Sequence, residues 1–273
     1  MGKLFAGILI ILVFCSSICI GLVFYIVKST DIDKLQTHYP YFDQTKGRYR
    51  LGPTKPPNWV APHQVSKHAR WAIIVSEDWA FYDHPGLDLN QLKLAIKESL
   101  AAQELTRGAS TITQQVIKNT VLSDEKTLWR KLREAVLAFY LEDMLSKEKI
   151  LEIYLNIIEL GKDIYGIREA SFYYFNKPPI ELNAREGAFL AMLLPSPVKY
   201  SVSFYQKELT DFAKEQVESI LVKLRQADVY SEEDRLEASQ KKFYWEEDFY
   251  SAPESGGESA PAGYEDYLED SYL

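Results

Sequence analysis

The stretch RGASTITQQVIKN, residues 107–119, decides how the rest of this 273-residue chain is read. It opens on an Arg-Gly pair, sets Ser110, Thr111 and Thr113 around the start of a helical pattern, and continues through Gln114 and Gln115 to Lys118 and Asn119. As a turn followed by a helix, it places hydroxyls and free backbone N–H groups at a helix N-terminus, with an ammonium about two turns further on. That arrangement suits an anion such as phosphate. A capped amphipathic helix with solvated amides has the same pattern, so the neighbouring segments must decide.

Upstream, SEDWAFYDHPG (76–86) packs Glu77, Asp78, Asp83 and His84 around Trp79, Phe81 and Tyr82. Acidic residues beside aromatics at a helix end are commonly a solvated rim. A carboxylate pressed against Trp79 and Phe81, by contrast, loses hydration, and its pKa rises toward a value useful to a general base. Downstream, LWRKLREAVLAFYLEDMLSKEKILEIYLN (128–156) supplies Arg130, Lys131 and Glu134, then Lys147 and Tyr154-Leu155-Asn156. Taken alone, Arg130 and Glu134 at i, i+4 are a surface ion pair of little worth. Together the three stretches bring two glutamates and several cations into one helical domain.

Working outward, Leu89, Leu92, Ile96 and Leu100 recur at helical spacing, as do Leu128, Leu132, Ala135, Val136 and Phe139, and later Val217, Ile220, Leu221 and Leu224. Asn183 with Glu186 three residues on reads as a capping box. Strand alternation is scarce, so the fold class is mainly α. Residues 63–230 are expected to form the domain, and 28–62, rich in Pro, Tyr and Gly, a linker packed onto it. Residues 231–273 carry 13 Asp/Glu against 3 Lys/Arg and account for the net charge of -8, so they are expected to be a disordered acidic tail. The remainder is nearly balanced, and neither part is basic enough for nucleic acid.

Residues 4–27, LFAGILIILVFCSSICIGLVFYIV, hold no charge and as a helix cover roughly 36 Å, enough to span a bilayer. The run exceeds a signal peptide's apolar region and no A-x-A-like site follows it, so residues 1–27 are read as a short N-terminus with an uncleaved anchor. Cys15 and Cys19 both lie in this span, which excludes a zinc site or disulfide framework elsewhere.

In these motifs the sequence resembles glycosyltransferase family 51, the peptidoglycan glycosyltransferases. The resemblance runs from about Arg70 to Tyr200. It is carried by Glu77-Asp78-x-x-Phe81-x-x-His84-x-Gly86, by Gly108-x-Ser110-Thr111-Ile112-Thr113-Gln114-Gln115-x-x-Lys118-Asn119 and by Arg130-Lys131-x-x-Glu134. Lys147-x-x-Ile150-Leu151-x-x-Tyr154-Leu155-Asn156, Tyr165-Gly166 and Pro195-x-Pro197-x-x-Tyr200 complete it.

The resemblance implies a lysozyme-like helical glycosyltransferase domain that polymerises lipid II. Glu77 would be the general base on the acceptor 4-hydroxyl. Lys118, Arg130 and Lys131 would neutralise the departing undecaprenyl pyrophosphate, and Glu134 would position the donor site or a divalent ion there. Asp78, Ser110, Thr111, Gln114, Gln115 and Asn119 would bind and orient substrate. It further implies a divalent cation (Mg or Mn), and as partners lipid II, the lipid-linked chain, the membrane and cell-wall synthesis proteins. The expected location is the bacterial inner membrane, with the domain on the outer side.

Ala109, Asp163, Ile164 and Lys149 depart from the family's usual residues. Ser146-x-x-Lys149 and Ser196-x-x-Lys199 match the first transpeptidase element but fall inside glycosyltransferase motifs, and no K-T-G occurs, so a single activity is expected. The competing readings are a catalytically silent protein that binds lipid II or a synthase, and a chain-cleaving lytic enzyme on a similar scaffold.

Overall fold

The computed structural model describes residues 2–102, 108, 110–122, 125 and 127–246. Helix α1 (Gly2–Lys28) contains a segment, Ile8–Lys28, long and apolar enough to cross a membrane, with a mean hydropathy of 2.8. Its side chains are almost all exposed until Ile26 and Val27, which are buried where α1 meets the domain. There Lys28 pairs with Asp33 at 3.3 Å, and the Tyr140 hydroxyl donates to Asp33 at 2.8 Å, fixing the end of α1.

The segment expected to be a linker is more ordered than its composition suggests. It forms an antiparallel hairpin of β1 (Tyr39–Asp43) and β2 (Arg48–Gly52), with Tyr41 opposite Arg50. Beyond it, Val60 N–H donates to Asn156 Oδ1 at 2.8 Å, and Asn156 Nδ2 returns a bond to Val60 O at 2.7 Å. The indole of Trp59 donates to Glu152 at 2.6 Å.

The centre of the domain is α2 (Lys67–Glu77), α8 (Ala184–Leu193) and α11 (Asp211–Gln226), packed against one another. Gly187 makes the α2–α8 approach possible, because a Cβ there would lie 2.6 Å from Ala69 Cα. The capping box of α8 is as expected, with Asn183 Oδ1 accepting from Glu186 N–H at 3.0 Å and Glu186 returning the bond at 2.9 Å. Val217, Ile220, Leu221 and Leu224 are buried, as their stripe predicts.

A second group, α4 (Ile112–Thr120), α5 (Leu128–Met144) and α6 (Lys147–Ile157), follows α3 (Leu89–Ala102). Strands β3 (Glu159–Gly161) and β4 (Ile164–Tyr165) then lead into α7 (Ile167–Phe175). Two short helices, α9 (Pro197–Tyr200) and α10 (Val202–Gln206), bridge α8 and α11.

The stripes on α3 and α5 behave differently. The α3 residues Leu89, Leu92, Ile96 and Leu100 are exposed, and among the described side chains of α3 only Ala95 is buried; on α5, Leu128, Leu132 and Phe139 are exposed while Leu137, Ala138 and Leu141 face inward. Periodicity identified these helices correctly but does not say which medium their apolar faces meet.

The boundary expected at residue 231 is not where packing ends. Ser231 caps α12 (Glu232–Gln240), and beyond it Phe243 and Trp245 are 2% and 4% exposed, stack on each other at 4.7 Å and lie 5.3 and 5.6 Å from the Phe189 ring in the aromatic core. Arg235 pairs with Glu218 on α11, and Arg185 Nη1 donates to Ser239 O at 3.0 Å. Average composition hid two large aromatics inside an acidic segment. The rest of the expected tail, 247–273, lies outside the described residues.

Candidate active site

Ser66 starts α2 by accepting from Ala69 N–H at 3.1 Å, and the helix ends at Glu77 because Asp78 leaves the helical region, at φ -156° and ψ 74°. Asp78 is then turned inward. Its Oδ2 accepts from Ile112 N–H at 3.0 Å, at the N-terminus of α4, where the helix dipole favours a carboxylate. Its Oδ1 lies 2.8 Å from His84 Nε2. Because Gly86 N–H donates to His84 Nδ1 at 3.1 Å, Nδ1 is the acceptor and Nε2 carries the proton given to Asp78. Gly86 itself sits at φ +102° with the Ala138 backbone 2.9 Å from where a Cβ would be, and its carbonyl accepts from Thr111 Oγ1 at 2.6 Å. These bonds lock the 78–86 turn to α4 and α5.

The two glutamates meet α4 through its paired glutamines. Gln115 Nε2 donates to Glu77 Oε2 at 2.7 Å, while Gln114 Nε2 donates to Glu134 Oε1 at 3.0 Å. The Tyr154 hydroxyl donates to Gln115 Oε1 at 3.2 Å, which turns the amide so that its NH2 faces Glu77. Glu134, only 2% exposed, also receives Arg130 Nη1 at 2.8 Å and Lys131 Nζ; the lysine continues to Ser110 Oγ at 3.0 Å. With two cations and one buried carboxylate, this cluster keeps a net positive charge.

Burial is the main reason the Glu77 carboxyl is pushed above its ordinary value of 4.5; Asp78 adds to the rise, while the Gln115 bond and Lys223 oppose it. The Tyr154 hydroxyl is raised well above its usual range, first by burial and then by Glu77 and Asp78, so it stays a phenol and a donor. Lys147 Nζ supports the turn from below, donating to His84 O at 2.6 Å and Glu142 Oε1 at 2.7 Å and lying 4.5 Å above the Phe81 ring.

The sequence-predicted residues thus divide. Glu77, Gln115, Gln114, Glu134, Arg130, Lys131 and Ser110 form a connected arrangement around the start of α4. Asp78 and Thr111, expected to orient substrate, are buried with their polar atoms committed to protein partners, so their geometry is that of positioning groups. Lys118 and Asn119 lie further along α4 in a groove of about 1080 Å³ that also takes in Arg133, Arg48 and Lys28 at the end of α1.

Sequence reading quoted His84, Lys147 and Tyr154 without assigning them work, and passed over Glu142. No local pattern distinguishes their inward contacts, since the partners come from other elements.

Two departures have local explanations. Asp163 occupies the left-handed region at φ 61°, a conformation that Asp tolerates better than most side chains and that glycine adopts freely. Lys149 bonds Glu152 at 2.9 Å and lies over the Tyr39 and Trp59 rings, tying α6 to the hairpin segment. Ala109 lies outside the described residues.

The transglycosylase family model matches residues 47–225, most of the domain and both glutamates. The chain belongs to the transglycosylase family. Its helical domain accordingly has that family's lysozyme-like fold. Among curated relatives, a biosynthetic peptidoglycan transglycosylase of Nitrosomonas eutropha is 40% identical over 168 residues, 62% of this chain and 66% of the relative. One of the same name from Nitrosomonas europaea is 44% identical over 142 residues, 52% of this chain and 58% of the relative. Penicillin-binding protein 1F of Bacillus subtilis is 42% identical over 142 residues, 52% of this chain and 20% of the relative. The chain therefore spans less than two thirds of the length of these curated relatives.

Proposed function

We propose that this transglycosylase-family protein polymerises lipid II into peptidoglycan glycan strands as a monofunctional glycosyltransferase. The observation that carries the reading is Glu77: a desolvated carboxylate of raised pKa, held by the single neutral amide of Gln115 and backed by Asp78. A carboxylate in that setting is a better base than one in water.

In the proposed step, Glu77 takes the proton of the acceptor sugar's 4-hydroxyl as that oxygen bonds to the anomeric carbon of the lipid-linked chain. The bond from that carbon to pyrophosphate breaks with its electron pair leaving on the phosphate, and inversion gives a β-1,4 linkage. Negative charge grows on the leaving group, so cations fixed beforehand stabilise the transition state most. Arg130 and Lys131 are fixed by Glu134, and Lys118 and Arg133 extend the positive surface toward the foot of the anchor, the direction from which a lipid-borne phosphate arrives. Asp78, Thr111 and His84 hold the base and the start of α4 in register.

A divalent cation is part of the proposal only as a companion of the pyrophosphate. Among the described residues no three His, Cys, Asp or Glu side chains converge, and Glu134 already faces three donors, so these groups do not build a metal cage. The proposed location is the bacterial cytoplasmic membrane with the domain outside, where the exposed apolar side chains of α5, which packs against α1, and those of α3 meet the lipid surface. Cell-wall synthesis proteins are proposed partners.

The test is incubation of the detergent-solubilised chain with lipid II, with products resolved by glycan length. Wild type should give polymer, and Glu77→Gln should lower the rate by about a hundred- to ten-thousand-fold while retaining lipid II binding. Wild-type turnover by the variant overturns Glu77 as the base. Lipid II bound by a folded wild type but never polymerised would favour the silent assembly role instead.

A further inference from the structure

On the far side of the hairpin from the basic groove lies a second pocket, of about 380 Å³, between β1, the Pro56–Trp59 segment, the β3–β4 turn and α7. The two share Phe42, Tyr49 and Tyr165 as a partition but have opposite chemistry. The groove carries Lys28, Lys34, Arg48, Arg50, Lys118 and Arg133, whereas no Lys or Arg is among the residues lining the pocket. An anionic ligand therefore has nothing to bind there.

What the pocket offers is aromatic wall and hydrogen-bond acceptors. Phe42 and Tyr165 stack on each other at 4.1 Å and 20°, so each has one face left, which makes a flat platform and not a box around a cation. Asn156, Tyr49 and Trp59 have their polar atoms occupied by Val60, Ile157 and Glu152 and are rigid wall. Asn58 Nδ2 donates to Glu169 Oε1 at 3.0 Å, which leaves Asn58 Oδ1 and the second Glu169 oxygen as acceptors. Gln44 and the exposed Asp163 complete the rim. Asp163 is one of the departures from the family pattern, so the rim carries a carboxylate that the usual residue lacks.

A flat apolar face bordered by acceptors fits a ligand with an apolar ring face and outward hydroxyl donors. We propose that this pocket binds an uncharged saccharide segment, a hold for the glycan apart from the Glu77 site. The inference rests on the glycosyltransferase reading for its choice of ligand. It places no reacting group in the pocket.

The experiment uses the full chain in detergent and the β-1,4-linked N-acetylglucosamine tetramer as probe, with binding followed by saturation-transfer NMR and calorimetry. Wild type and Glu77→Gln should bind the tetramer alike, which separates this site from the catalytic reading whatever the polymerisation assay gives. Tyr41→Ala, on an exposed hairpin position lining the pocket, should weaken binding about fivefold. Asp163→Gly, which keeps the left-handed backbone, should weaken it similarly, whereas Asp163→Asn keeps an acceptor and should retain most of the affinity. No binding by wild type, or equal binding by wild type, Tyr41→Ala and Asp163→Gly, overturns the proposal. So does loss on Asp163→Asn as complete as on Asp163→Gly, which would show that a neutral acceptor at this position does not hold the saccharide.

Discussion

Glu77 and Asp78 are adjacent carboxylates with opposite fates, and the difference lies in what each is given. Asp78 receives a backbone N–H and a histidine N–H and is buried with both oxygens used. Removing it in Asp78→Ala leaves Ile112 N–H and His84 Nε2–H without their partner, at an expected loss of about 2–4 kcal/mol measured by denaturant unfolding. Glu77 receives one neutral amide, too little to offset its lost hydration, so its pKa rises. Between the ordinary 4.5 and that raised value, the folded protein holds a proton that the unfolded chain has released, so stability falls as pH rises through this window. Glu77→Gln removes the titration and lets the side-chain carbonyl accept from Gln115. The variant should be more stable than wild type above the window, with the gap closing as pH falls below 4.5. In wild type, kcat/KM should fall as pH drops through the same window, because the base is then protonated. Thermal unfolding and initial rates across pH check the pair together.

At the scale of elements, local chemistry was legible and partnership was not. The α8 capping box and the α11 stripe could be read directly because both depend on residues three or four apart. The start of α4 was legible as a capped N-terminus, and Thr111 and Gln114 do form a capping box there. That the α4 glutamines reach back to Glu77 and forward to Glu134 was not legible, since those contacts span 38 and 20 positions and depend on how helices pack. The hairpin was missed because its strands are short and barely alternate in burial. The C-terminal segment was misread for a related reason: its acidic face is what solvent sees, and Phe243 and Trp245 are what the core sees. Trp245→Ala should cost about 3–5 kcal/mol, in the range for a buried large aromatic. Truncation at Ser231 should lower the melting temperature further by removing Phe243 and the Arg235–Glu218 pair as well. A melting curve superimposable on wild type would mean that these rings are not part of the core.

The whole molecule presents three surfaces suited to a membrane: the apolar α1, the basic groove at its foot, and the exposed apolar face of α3. Apolar side chains scattered singly on a surface need no explanation, but Leu89, Leu92, Ile96 and Leu100 lie along one helix with exposures of 54%, 41%, 52% and 75%. A stripe that marks a core-facing helix in a water-soluble domain here faces outward, on a chain whose first helix can cross a bilayer. If lipid is the partner of that face, its apolar character serves substrate access and contributes little to folding. Leu92→Gln, Ile96→Gln and Leu100→Gln together keep good helix formers at exposed sites, so the melting temperature in detergent should stay within about 0.5 kcal/mol of wild-type stability per substitution. Polymerisation should then depend on the medium: near wild type with lipid II in detergent micelles, but about threefold or more slower in vesicles, where the domain must lie on the bilayer to meet its substrate. Equal loss in both media would place the effect in the fold of α3, and no loss in vesicles would show that the anchor alone holds the domain at the membrane.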